Sequence, residues 1–373
     1  MNRRPLTVVL IVPTGVGASI GGFAGDALPV ARAIAHISDT LITHPNVLNG
    51  AQLYWPIPNA LYVEGYGLDK FAQGCWGLQP VHQNRIGLIL DGGIEPDLQL
   101  RHLQAVDAAR ATLGLNITDY VLTDVPLNVE LRMSESGASW GTIAHPDSLL
   151  RAAEKLITQA KVEAIAVVAR FPDDAGSIAL ANYRHGKGVD PLAGAEAAIS
   201  HLIVKTFKIP CAHAPALLPL PLDPHLSPRS AAEEIGYTFL PCVLAGLSKA
   251  PQFVTLGTQE RDTDKNRKHT QLPITADRVD AVVIPATACG GSAILSLSGR
   301  SAVQIIAVAD NKTQMQVPPE KLGIKALQVN SYLEAIGVLV ALRTGITPVA
   351  LGADISPLRC LSDSTKQISN LKS

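Results

Sequence analysis

Nine short runs rich in Val, Ile and Leu punctuate this chain, at residues 7–13, 60–64, 85–91, 119–124, 162–170, 252–256, 279–286, 303–310 and 325–330. Their apolar residues are nearly continuous instead of alternating, which is the mark of strands covered on both faces, and Ala/Leu-rich stretches with helical spacing lie between them. The alternation predicts an α/β fold, a predominantly parallel sheet or sheets flanked by helices. Cap chemistry marks three of the helices. Asp147 opens a stretch with Leu149, Leu150, Ala153, Leu156 and Ile157 on one face. Ser227 and Pro228 open another that runs towards Ala245, and a third covers Tyr332 to Arg343 before Gly345 stops it.

With 373 residues and 47% hydrophobic content, the chain can bury one large core or two ordinary ones, and its length favours two lobes. The proline-rich stretch 210–228 is the expected crossover between an N-terminal α/β lobe, 1–209, and a C-terminal one, 229–373, because prolines interrupt both helix and central strand. The dense charges of 259–273 predict a solvated loop, and the last ten or so residues a frayed tail.

Charged residues are only 17% of the chain and the formal net charge is −1, which argues against a general nucleic-acid binder or an electrostatic membrane anchor. The expected partners are a small-molecule ligand and, because so little polar surface covers so much apolar material, other copies of the chain in a homo-oligomer. Five scattered cysteines in a long chain read as reduced thiols of a cytoplasmic protein. Arg3 and Arg4 before the apolar run Leu6–Val12 mimic a secretory leader, but the run is short and ends in Pro-Thr-Gly, so a first buried strand is the better reading. No apolar run approaches the roughly 18 residues of a membrane span.

Two of the strands end in the same phrase. Val8–Pro13 is followed by Thr14, Gly17, Ala18 and Ser19, and Ala281–Pro285 by Thr287, Gly290, Gly291 and Ser292. A strand emptying into such a loop offers backbone N–H groups and hydroxyls to an anion, so Thr14, Gly15, Gly17, Ser19, Thr287, Gly290, Gly291 and Ser292 are candidate ligand-binding residues. Neither loop completes a dinucleotide or Walker pattern: the first has Ile20 where the third glycine of Gly-x-Gly-x-x-Gly belongs. Asp310 ends the strand after the second loop, where an acidic group can bind ribose hydroxyls. Cys289 is either an activated thiol or an inert buried one.

Other strand ends supply Asp91, Asp124 and Arg170. His44 and His145 stand in matching His-Pro-(Asn/Asp) contexts, each two residues before an expected helix cap, and with Asp91 and Asp124 they form the candidate catalytic set. Arg184, His185 and Lys187 sit between glycines in a loop suited to closing over a phosphate or carboxylate. Cys211-x-His213 with distant His225 is a fragment of a zinc pattern that the prolines explain without a metal, so no metal site is assigned.

The runs Ile11–Gly22, Thr43–Gly50 and Ile284–Gly291 give the chain a resemblance to an uncharacterised protein family found in cyanobacteria and plant plastids. The resemblance spans nearly the whole chain and implies a cytoplasmic or stromal protein, without catalytic residues to transfer. The residues themselves point to an enzyme acting on a small anionic metabolite, phosphorylated, carboxylated or nucleotide-like, held where the two glycine loops meet. The competing reading is a non-catalytic metabolite sensor or assembly protein. Neither substrate nor cofactor is named by the pattern.

Overall fold

A computed structural model describes residues 4–173, 177–234, 240–257 and 272–358. The stretch 258–271, which holds most of the charge-dense segment, lies outside the described residues, as do Cys360 and the tail beyond 358.

The first strand, β1 (Thr7–Leu10), is fully buried and lies at the centre of a six-stranded parallel sheet. On one side it pairs with β2 (Thr40–Thr43), which pairs with β3 (Ala60–Tyr62). On the other it pairs with β12 (Ala281–Pro285), followed by β13 (Gln304–Val308) and β14 (Ala326–Val329). Alternate strand residues face opposite helical layers. Val8, Leu10 and Val283 pack with α1 (Leu28–Ile37) and α11 (Tyr332–Thr344), whereas Val9, Val282 and Ile305 pack with α3 (Gly65–Ala72) and α10 (Ser292–Ser298).

Between the two halves of this sheet the chain builds a second one. It is four-stranded, parallel and ordered β10 (Cys211–Ala216), β9 (Ala164–Arg170), β5 (Ile86–Leu90), β6 (Ile117–Leu122). One face packs on α4 (Pro96–Leu113) and α9 (Leu240–Ser248), the other on α5 (Pro146–Lys155) and α7 (Ala193–Phe207). Two antiparallel pairs complete the strands, β4 (Trp76–Gln79) with β11 (Gln252–Thr255) and the hairpin β7 (Val129–Met133) with β8 (Ser139–Ile143).

The expected division at 210–228 is therefore corrected. The first sheet takes strands from both sides of that segment, and residues 211–216 are themselves a strand. Pro215 is tolerated because β10 is an edge strand, where a missing N–H leaves no neighbour unpaired. Elsewhere, α2 (Pro45–Leu48), α6 (Ile178–Arg184) and α8 (Pro228–Ala232) are short connecting helices. Among the described residues no helix is long and apolar enough to cross a membrane.

Each sheet has a point where its connections change direction, between β1 and β12 in the first and between β5 and β9 in the second. At the second, buried Asp91 fills the gap: its carboxylate accepts N–H groups from Gly93 (3.0 Å), Leu127 (2.9 Å) and Arg170 (3.1 Å). Three backbone donors on three separate segments, one of them buried and two partly so, depend on one side chain. Asp91→Ala is accordingly expected to lose about 3 kcal/mol or more of stability. Denaturant unfolding checks this, and a Tm equal to wild type would return Asp91 to the list of functional candidates.

Candidate functional site

In open parallel sheets, ligands collect beyond the carboxyl edge where connection direction reverses. The two echoing loops leave the first sheet at that place, from the paired strands β1 and β12. The segment 310–317 stitches them together. Ser19 donates its N–H to the Lys312 carbonyl (2.9 Å), and Gln314 donates to that of Val16 (2.8 Å). On the other loop, the Thr287 and Thr313 hydroxyls meet at 2.8 Å, and Val317 N–H donates to the Thr287 carbonyl.

The first loop needs its glycines for close approach. Gly15 and Gly17 have φ of +68° and +63°, and Cβ atoms there would lie 2.6 Å from Ser139 Oγ and 2.9 Å from the Gly188 carbonyl oxygen. The hairpin β7–β8 and the segment before α7 thus press on the loop. Ser139 is buried, and its Oγ has no hydrogen-bond partner among the described residues.

Several backbone donors near the two loops are held by the chain's own acceptors. Gly21 N–H goes to Asp26 (2.6 Å), Ala24 N–H to Glu233 (3.0 Å) and Ile20 N–H to Asn311 (2.9 Å). At the start of α10, Asp69 accepts the Ala293 N–H, and Ser292 Oγ accepts from Gln73 (3.1 Å), while Gly290 and Gly291 stay exposed. Cys289 is buried, and burial pushes its thiol up to about 11, so the inert reading holds.

The candidate histidines and carboxylates divide between the two sheets. His44 follows β2, and its Nε2 accepts the Val12 N–H at 3.1 Å; burial pulls its pKa down to about 4, leaving a neutral structural imidazole. Both His44 and His145 occupy the cap positions themselves, at α2 and α5, so Asn46 and Asp147 are not the caps expected. Asp310 is exposed at the end of β13, and Thr14 is half-buried after β1 at the same sheet edge, with β12 between their strands. Asp91, Asp124, His145 and Arg170 belong to the second sheet. Asp124 is held far below the usual carboxylate range by Arg151 and Ser148. Arg170 is forked between Glu95 and Asp173. In the glycine-flanked loop, Arg184 bonds Glu234 twice (2.9 and 2.8 Å) and His185 meets Asp223 at 2.9 Å, so neither awaits a ligand anion, whereas Lys187 is exposed.

Two groupings gave no sequence signal, because their members are far apart in the chain. Behind the first loop, Glu233 accepts from Tyr183 and Ala24, Asp26 pairs with Arg229 (2.8 Å), and the charges of Glu196 and Asp190 are close. Burial pushes Glu233 up to about 7, the neighbouring acids adding to the rise, and raises Asp190 well above its ordinary value. After β3, Glu64 caps α3 through Tyr66 and Gly67 N–H and lies 2.9 Å from His201 Nε2. Burial lowers the imidazole's pKa, but Glu64 and Asp69 more than offset it, so His201 stands above 6.5. Among the described residues no three His, Cys, Asp or Glu side chains are arranged to hold a metal ion.

Comparison with known proteins adds ancestry without activity. The chain is 57% identical over 367 residues to a protein of Synechococcus sp. (strain ATCC 27144 / PCC 6301 / SAUG 1402/1) described as an uncharacterized lipoprotein, covering 98% of this chain and 99% of that one. No solved structure matches. The family model described as "Protein of unknown function (DUF3326)" matches residues 7–352, so the chain belongs to this uncharacterised family.

Proposed function

We propose that the chain binds a small anionic metabolite at the carboxyl edge of the six-stranded sheet, between the loops that follow β1 and β12. The observation that carries this reading is the adjacency of the two echoing loops at the reversal point, with 310–317 joining them. Thr14, Thr287 and Thr313 supply hydroxyls there, and Ser139 Oγ is an unsatisfied polar atom against Gly15. Lys187 and Lys312, both exposed, sit on the segments that touch Gly17 and Ser19 and bring positive charge to the rim. Binding is better supported than turnover, because His44 is a neutral acceptor for a backbone N–H and Asp91, Asp124 and His145 lie at the other sheet. A metabolite sensor is the leading form of the proposal.

One observation favours an enzyme. Half-exposed His201 of α7, held 2.9 Å from the buried Glu64 carboxylate that follows β3, can serve as a general acid or base. We place the protein in the cytosol, since Leu6–Val12 contributes β1, the central strand of the first sheet. The relative's description as a lipoprotein points the other way. The exposed Leu333 and Val340 on α11 suit self-association.

Native mass spectrometry of the purified protein is expected to find a co-purifying small anion, and replacing Lys187 and Lys312 with Ala to weaken its retention about tenfold at unchanged Tm. Protein that emerges bare, with a Tm indifferent to phosphorylated and carboxylated metabolites, rules the reading out. Turnover of the retained anion that disappears in His201→Ala would select the enzyme over the sensor. Cell fractionation is expected to leave the chain in the soluble fraction, and recovery with membranes would displace the cytosolic assignment.

The acids behind the first loop add a pH dependence. Glu233 titrates near 7 in the folded chain and near 4.5 when unfolded, so its contribution is fully present below about 4.5 and is lost as pH rises through 7. Stability should fall by on the order of 2 kcal/mol between pH 5 and 8 on its account. Tm measured across that window should flatten in Glu233→Gln, and an unchanged slope would show that Glu233 ionises normally.

A further inference from the structure

A second cavity lies away from this crevice, behind the amino edge of the six-stranded sheet. It occupies about 240 Å³ between the last turns of α1 and the segment that leads into β3. Asn59 closes its floor by donating to the Ala35 and Ser38 carbonyls (2.8 and 3.0 Å), which ties that segment to the end of α1. Pro56 and Ile57 give it apolar walls.

Arg32 is its one guanidinium. The group stacks on the indole of Trp55, 3.4 Å from the ring centre. Stacking satisfies the face of a guanidinium but not its edge, where all five N–H donors lie in the plane. The Nε atom is buried without a hydrogen-bond partner, and Arg32 has no carboxylate partner among the described residues. Arg151, Arg170 and Arg184, by contrast, are each forked onto acids of the chain. A buried donor left unpaired is costly, and two parallel N–H groups match the two oxygens of a carboxylate.

We infer that this cavity is a binding site for a compact organic carboxylate, whose two oxygens take the free edge of Arg32 while its apolar body lies among Trp55, Pro56 and Ile57. Carboxylate is chosen over phosphate because Trp55, Pro56 and Ile57 give the cavity apolar walls. His36, on the cavity rim, adds positive charge when protonated. The site is separate from the crevice between the glycine loops and does not depend on that proposal.

Benzoate is a suitable probe, since it pairs one carboxylate with a flat apolar body. Added to the full chain, it is expected to change tryptophan fluorescence saturably and to raise Tm. The fluorescence change should vanish in Trp55→Phe, and Arg32→Gln should weaken binding at least about tenfold. Benzamide, the neutral isostere, should fail on the wild-type protein, which keeps the idea testable even if the Arg32 variant misfolds. No saturable response to benzoate, or equal binding of benzamide or inorganic phosphate, would overturn the assignment. So would binding of anionic phospholipid vesicles through Trp55 without any response to benzoate, because that pattern marks a membrane-facing patch.

Discussion

Helix α9 is the element that makes one body of two sheets. Leu240 and residues Cys242 to Ser248 are all buried, and a helix that is apolar on every side must be covered on every side. It packs on β9 and β10 of the second sheet, on α4 and on α2, and Gly246 lies under the ring of Tyr62 in β3, where a Cβ would come within 2.5 Å. Its carboxyl end is fixed by buried Asn84, which donates to the Leu247 and Ala250 carbonyls and accepts from Gln252. Both polar atoms of the Asn84 amide have partners, so the helix end is secured without being exposed to water. Because α9 touches both sheets, the carboxyl edge of the first is held against α7 and the hairpin of the second, and the first glycine loop is enclosed as a result.

That enclosure explains why the loop motif means less than its composition suggests. Backbone donors at a strand–loop–helix junction attract anions, and a folded chain can supply the anion itself. Asp26 and Glu233 do so at the first loop, Asp69 at the start of α10, and Asp91 at the reversal point of the second sheet. Of the two reversal points, one is filled by a carboxylate with three backbone partners. The other retains hydroxyls, glycine backbone and an unsatisfied serine.

All nine apolar runs became strands, since a continuous Val/Ile/Leu segment has few alternatives to burial in a sheet. What the runs do not carry is pairing. Nothing local in Val9 or Val282 says that they are neighbours across more than 270 residues, so a split near the prolines was the natural but wrong division. β2 was missed because Thr40–Thr43 holds only two apolar residues between threonines, and β10 because Pro215 reads as a breaker unless its edge position is known. Site residues fared worse for a related reason. A histidine or aspartate at a strand end is visible in the sequence, but its partner is not. His44 turns on the Val12 N–H, Arg184 on Glu234, and His201, hidden in mid-helix, on Glu64.

The accounting of charge sharpens what is left. Most arginines near the candidate sites are matched by acids brought from distant segments, including Arg170 with Glu95, Arg184 with Glu234 and Arg229 with Asp26. Their long reach is spent on tying segments together, which a chain with only 17% charged residues must do sparingly. Arg32 departs from that pattern. It is half-buried and stacked on an indole beside a cavity, with its Nε donor buried and unpartnered. Exposed unpaired lysines need no explanation, because water solvates them. A half-buried guanidinium with a buried, unpartnered Nε does need one, because no carboxylate of the described residues completes it.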